Sequence, residues 1–263
     1  MLRTAPVAHA RVHELTWTLV ACAVLVQIAY PLTPLTEQIE VTVLSVVVFS
    51  AAMVVDVVRL DGLRYALRLL AVACGGGLIA EAVGQATGVP FGAYAYSGTL
   101  GPELFAVPIV VPLAWTMMAW PALVVGRTLG RSTPGVIAVG TVALAAWDVF
   151  LDPQMVAAGH WRWLDPGPSL PLVPGVPLTN YGGWLLVSAL IVGVLHYALP
   201  ERDHARRPSG PATALYLWVY ASSVFAHLAF FGLPGSALVG GLLMGAVAVP
   251  FACAAGRRVV APR

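Results

Sequence analysis

Apolar stretches of about twenty residues recur along the chain, parted by short segments that carry nearly all of the charge. Each stretch is long enough to cross a hydrocarbon core of roughly 30 Å as an α-helix. The pattern predicts eight such helices, at 15–31, 39–58, 66–86, 104–125, 134–151, 183–199, 212–232 and 235–255. The expected fold class is therefore all-α, a polytopic integral membrane bundle in which residues 1–263 form one domain. The first stretch is the weakest, being short and preceded by Arg3, Arg11 and Glu14. A cleaved signal peptide is the alternative there, and Leu19-Val20-Ala21-Cys22 imitates a lipoprotein cleavage box.

Arginine placement orients the bundle. Arg3 and Arg11 precede the first helix, and Arg59, Arg64 and Arg68 lie between the second and third. Arg127 and Arg131 follow the fourth helix, Arg202, Arg206 and Arg207 the sixth, and Arg257, Arg258 and Arg263 the last. Thirteen of the fourteen arginines thus fall on one side of an eight-helix arrangement, and only Arg162 on the other. Positive charge is retained on the cytoplasmic side, so both termini are expected there, in a multi-pass cell-membrane protein.

Composition narrows the function. Hydrophobic residues make up 59% of the chain and charged ones 10%, with a mean hydropathy of +0.84. Soluble domains carry about 25% charged residues, so a soluble enzyme, a disordered chain and a secreted disulfide scaffold are all excluded. The net charge of +2 is too weak for a nucleic-acid partner. All basic residues are arginine. Without lysine there is no Schiff base to retinal or pyridoxal phosphate and no P-loop. Cys22, Cys74 and Cys253 each sit in an apolar run and are expected in the core.

The links on the arginine-poor side differ from the rest. Residues 87–103 and 152–182 are long, apolar and rich in Gly, Pro and aromatics. Segments of that kind are predicted to fold back as re-entrant or capping loops rather than extend into water.

Polar residues at membrane depth collect at this same outer level. Glu81 belongs to the third helix, Asp148 and Asp152 to the end of the fifth, Asn180 and Trp184 to the start of the sixth, and His227 to the seventh. Asp148 and Asp152 are four residues apart and share one side of a helix. The outer loops add Tyr94, Tyr96, Glu103, His160, Trp161, Trp163 and Tyr181, and Trp115 stands nearer mid-membrane. An ionisable group in that position is costly and usually serves a site. Each residue also has a plain structural reading. Asp152-Pro153 can end a helix, and Glu81 or Asp148 can tie two helices together. His227 can be a satisfied core histidine, and Trp161, Trp163 and Tyr181 can form an interfacial belt. Asp56 and Asp61, near Arg59 and Arg64 at the cytoplasmic edge, read as structural.

Three chemistries compete for this layer. Di-iron membrane oxygenases need histidines at short helical spacings, and the chain has no HxxH or HxxxH. Asp148-x-x-x-Asp152 matches the DxxxD of intramembrane prenyltransferases, which also need a second acidic motif and several phosphate-binding cations. What remains is acid–base chemistry without a metal, in which buried carboxyl groups protonate an alkene and aromatic faces stabilise the cation.

The run Glu81-AVGQATGVPFGA-Tyr94-Ala-Tyr96 is followed by LGPELFAVPIVVPLAW (100–115), AWDVFLDPQMVAAGHWRW (146–163) and GVPLTNYGGW (175–184). Over roughly residues 75–190 these segments resemble the CruF-type carotenoid biosynthesis proteins, membrane hydratases of acyclic carotenoid ends. The resemblance implies addition of water to the terminal 1,2 double bond of a ψ-end group, without a cofactor. It further implies a lipophilic carotenoid substrate drawn from membrane lipid, and association with other carotenoid enzymes. On the reading of the residues themselves, Asp148, Glu81 and Asp152 are the candidate catalytic carboxyls. Trp115, Tyr94, Tyr96, Asn180, Tyr181, Trp184 and His227 are the candidates for holding substrate, cation or water. A carotenoid end-group cyclase begins with the same protonation and stays open. So does a non-catalytic carotenoid-binding or transport protein.

Overall fold

The computed structural model describes residues 4–34, 37–165, 167–200 and 208–260. Arg3, Arg202, Arg206, Arg207 and Arg263 of the arginine pattern lie outside them. Eight helical segments among the described residues are long and apolar enough to cross a membrane, in the order the hydropathy predicts. The protein is an all-α, multi-pass membrane bundle.

The helices are α1 (Thr4–Ala29), α2 (Gln38–Asp61), α3 (Leu63–Leu69), α4 (Gly75–Thr87), α5 (Val110–Leu129), α6 (Thr133–Ala145), α7 (Asp148–Ala157), α8 (Leu178–Ala198), α9 (Gly210–Ala229) and α10 (Pro234–Val260). A π-helical turn, Leu70–Cys74, joins α3 to α4 within one span. α5 stands at the centre, with most of its length buried against α2, α4, α6, α8, α9 and α10. α1 packs on α2 and α9, and Trp218 of α9 donates its indole N–H to Gln27 of α1 at 2.8 Å.

Three boundaries differ from the sequence expectation. The fourth span begins at Val110 rather than 104. Glu103–Leu104 (β2) instead turns back on Val107–Pro108 (β3), with Phe105 and Ala106 at φ 54° and 60°. The fifth span is broken at Ala146–Trp147 and restarts as α7, so Asp152 ends no helix and Pro153 is carried inside one. The sixth begins at Leu178, behind Pro177, so Asn180 and Tyr181 stand in the first turn of α8. Apolar content alone reads these six- to ten-residue segments wrongly because it does not distinguish a strand from a helical turn.

The two long apolar loops cap one end of the bundle by pairing with one another. Tyr94–Tyr96 (β1) runs antiparallel to Trp161–Trp163 (β4), with Tyr94 opposite Trp163, Ala95 opposite Arg162 and Tyr96 opposite Trp161. Side chains alternate across a strand, so both tyrosines and both tryptophans share one face, and Arg162 takes the other, where it is exposed. A second short pair, Ser169–Leu170 (β5) with Val173–Pro177 (β6), closes the remainder. His160 joins the loops: its Nδ1 is hydrogen-bonded to Thr99 Oγ1 at 2.9 Å, and burial lowers the pKa of its imidazole.

At the end of the bundle opposite the cap, buried Asp56 takes Arg59 Nη2 at 2.6 Å, the Trp120 indole at 2.9 Å and the Ser209 hydroxyl. Arg127 and Arg68 close the end of α8, donating to the carbonyls of His196, Ala198, Leu199 and Pro200. The cysteines are not core: Cys22 and Cys253 are exposed and Cys74 is half-buried. A bundle's lipid-facing surface is as apolar as its interior, so an apolar run does not say which way a residue faces.

Candidate active site

Three carboxyl groups meet beneath the β1–β4 cap. Glu81, on the inner face of α4, accepts three hydrogen bonds. Tyr94 and Tyr96 both donate to Oε2, the latter at 2.9 Å, and the Trp115 indole donates to Oε1 at 3.1 Å. Burial and then the neighbouring Glu81 charge raise both phenols well above their ordinary range, so the tyrosines are permanent donors. The three donors satisfy both of its oxygens.

The aspartates are arranged differently. Asp148 and Asp152 are one helical turn apart on α7 and within hydrogen-bonding reach of each other. The Asn180 amide of α8 bridges them, donating to Asp148 Oδ2 at 2.7 Å and to Asp152 Oδ2. The Trp161 indole donates to Asp152 Oδ1 at 3.1 Å. Both oxygens of Asp152 therefore have donors, whereas Asp148 Oδ1, fully buried, has none among the described residues. Asp148 Oδ1 is thus the oxygen of the pair that no donor reaches among the described residues. Glu81 is within electrostatic reach of both.

Aromatic rings wall the cluster. Trp115 and Trp184 stack with centroids 4.0 Å apart and planes 18° from parallel, and Trp147 meets Trp184 edge-on at 6.0 Å. Phe91, Tyr94 and Trp163 follow in sequence, with Trp163 donating to the Phe91 carbonyl at 2.9 Å. Glycines admit these rings. A Cβ at Gly77 would lie 2.6 Å from Trp115 Cδ1, and one at Gly183 would lie 2.8 Å from the Pro90 carbonyl oxygen.

Two cavities adjoin the cluster. The smaller, about 30 Å³, is lined by Glu81, Asp152 and Asn180 among the rings of Tyr94, Trp115 and Trp184. That is room for a water or two, not for a hydrocarbon chain. The larger, about 170 Å³, lies between α1, α2, α5, α7 and α9 and is mainly apolar. Val111, Ala114, Leu151 and Trp161 line both.

Most of the sequence candidates converge here. Glu81, Trp115, Asn180 and Asp152 line one cavity, whereas Asp148 is buried outside its lining. Tyr94, Tyr96, Trp161, Trp163 and Trp184 join the cluster. Tyr181 is half-buried near the aspartates, and its hydroxyl has no hydrogen-bond partner among the described residues. His227 does not join: its ring nitrogens lie 2.8 and 3.0 Å from the carbonyls of Ser223 and Phe150, tying α9 to α7. Glu103 is exposed on the β2–β3 hairpin. Sequence reasoning missed Phe91, Trp147, the strand pair and the larger cavity. The alternations Tyr-Ala-Tyr and Trp-Arg-Trp were a legible sign of the strands, whereas nothing local announces a cavity. Among the described residues no three of His, Cys, Asp or Glu converge as a metal site.

The family model described as carotenoid biosynthesis protein matches residues 41–248. The bisanhydrobacterioruberin hydratase of Haloarcula japonica is 32% identical over 134 residues, which span 48% of this chain and 43% of that protein. No solved structure matches.

Proposed function

We propose an activity for this chain, which belongs to the carotenoid biosynthesis protein family: it adds water to the terminal 1,2 double bond of an acyclic carotenoid, without a cofactor. The observation that carries the reading is the aspartate pair, buried among neutral donors and aromatic rings beside a water-sized pocket. The hydratase relative supports the same reaction class.

In the mechanism, the proton shared by Asp148 and Asp152 passes from the cavity-facing carboxyl, Asp152, to C2 of the terminal isopropylidene group. The alkene's electron pair forms the new C–H bond, and the tertiary cation left at C1 faces the rings of Trp161, Trp115 and Trp184. Water in the small pocket forms the C–O bond at C1 and returns its surplus proton to the aspartate pair. Atoms and charge balance as one water added, with no change of oxidation level. Glu81, held as a carboxylate by three donors, stabilises the passing cation electrostatically. A cyclase would quench the same cation with a second double bond and would need water kept out. A water-sized pocket that opens on Glu81, Asp152 and Asn180 therefore favours hydration. The cluster contains no arginine, which counts against diphosphate chemistry.

Expression in a lycopene-producing host, with mass spectrometry of the pigments, tests the reading. A gain of 18 mass units, the mass of one water, is the expected result. An unchanged mass with a shifted chromophore would mean cyclisation, and unaltered lycopene would mean a binding protein.

We further propose that both termini are cytoplasmic and that the carboxyl layer faces outward, where water is nearest. A cysteine at exposed Arg131, in a background free of native cysteines, should resist membrane-impermeant labelling of intact cells. Efficient labelling would invert the orientation.

A further inference from the structure

We propose that the larger cavity seats the hydrocarbon end of the substrate, and that its wall against the small pocket is where the terminal double bond meets Asp152. The inference rests on the hydratase reading and gives that reaction its substrate seat.

A hydration needs two reactants of opposite character brought together at one carbon. The structure provides one compartment suited to each. The small pocket, about 30 Å³ and lined by Glu81, Asp152 and Asn180, is too small for a branched carbon terminus. The chamber of about 170 Å³ has no charged residue among the described side chains that line it. Its lining is mainly apolar, with Gln27, Thr42, Ser45 and Gln154 among the polar exceptions; a cavity of about 150 Å³ accepts a benzene-sized guest, so this one has room for about one terminal isoprene unit. Nothing in its lining offers an anion to trap a cation away from the carboxyl layer.

The compartments are one residue apart. Val111 and Ala114 present one face of α5 to both, and Leu151 on α7 is the chain neighbour of Asp152. Trp161 links them most directly, since its N–H holds Asp152 Oδ1 while its ring also borders the chamber. The methyl of Ala114 keeps this wall thin. A terminus pressed against it lies beside the acid, and its cation forms against the Trp161 ring.

Filling the chamber from its far side tests the assignment. Ser222 and Ala226 of α9 line the chamber and not the polar pocket. Ser222→Phe and Ala226→Phe should each lower lycopene hydration at least tenfold and remove the carotenoid that purifies with the protein. Thermal unfolding in detergent checks that the fold persists. Asp152→Asn should behave oppositely, retaining pigment without product. Phenylalanine variants that keep both pigment and turnover would overturn the assignment. Should they fail to fold, near-isosteric Ser222→Cys in a background lacking Cys22, Cys74 and Cys253 replaces them. Lycopene should then slow its modification by a thiol reagent, and an unchanged rate would overturn the assignment. Protection of that cysteine in a protein that yields no hydrated product would leave the seat standing and sink the hydratase reading instead.

Discussion

The protein buries acidic side chains at both edges of the membrane, and treats them in opposite ways. At the end of the bundle away from the cap Asp56 meets a cation, with Arg59, Trp120 and Ser209 closing around its two oxygens. Beneath the cap Glu81, Asp148 and Asp152 meet tyrosine, tryptophan and asparagine, all neutral. Asp56, paired with arginine and held by Trp120 and Ser209, ties α2 to α5 and to the start of α9. In the proposed reaction the aspartate pair is instead the reagent, and the donor set is what separates it from Asp56.

The largest effect should come from removing the exchangeable proton. Asp152→Asn is expected to lower hydration by about 10²–10⁴-fold, the usual worth of a general acid, with helicity and bound pigment unchanged. Asp148→Asn should fall in the same range, since the two act as a unit. Near-full activity in Asp148→Asn would make that residue a structural tie like Asp56 and erase the contrast.

Asp56→Ala should show the reverse profile. Loss of its charged hydrogen bonds is expected to cost about 2 kcal/mol of stability, read as a lower unfolding midpoint, while the protein that remains folded turns over normally. A catalytic loss at full stability would mean that the Asp56 cluster also serves the reaction.

Smaller again is Trp184→Leu, which removes one face of the stacked indole pair. A loss of about 1 kcal/mol of cation stabilisation corresponds to roughly fivefold in rate, with pigment binding kept. Glu103→Gln should do nothing measurable to product yield, because that carboxyl is exposed on its hairpin.

The bundle itself was readable because lipid imposes a length on every span, and eight long apolar stretches in one chain fit little besides a membrane bundle. The depth of Glu81, Asp148, Asp152 and Asn180 followed from the same register, which is why four separate segments pointed to one layer. What the register does not carry is facing. Cys22 and His227 both lie in apolar runs, yet one looks outward and the other is sealed between α7 and α9. Nor does hydropathy reveal that Asp152 lines the small cavity and Asp148 does not, since that depends on where α6 breaks and α7 restarts. The residue pair Ala146–Trp147 at that break carries no glycine or proline to announce it.

Gly77 and Gly183 have a consequence for anyone breeding this protein. The indole pair and the capping loop rest on space that no side chain occupies, and a single methyl at either position collides with Trp115 or with the Pro90 backbone. In a colour screen of random variants, Gly77→Ala and Gly183→Ala would register as losses of pigment conversion despite touching no acid, base or substrate. Substitutions on the lipid-facing flanks of the same helices would pass unnoticed. Heritable variation in product should therefore collect in the chamber wall, where Ala114, Val111 and Leu151 can trade volume, and not in the ring cage around the carboxyls.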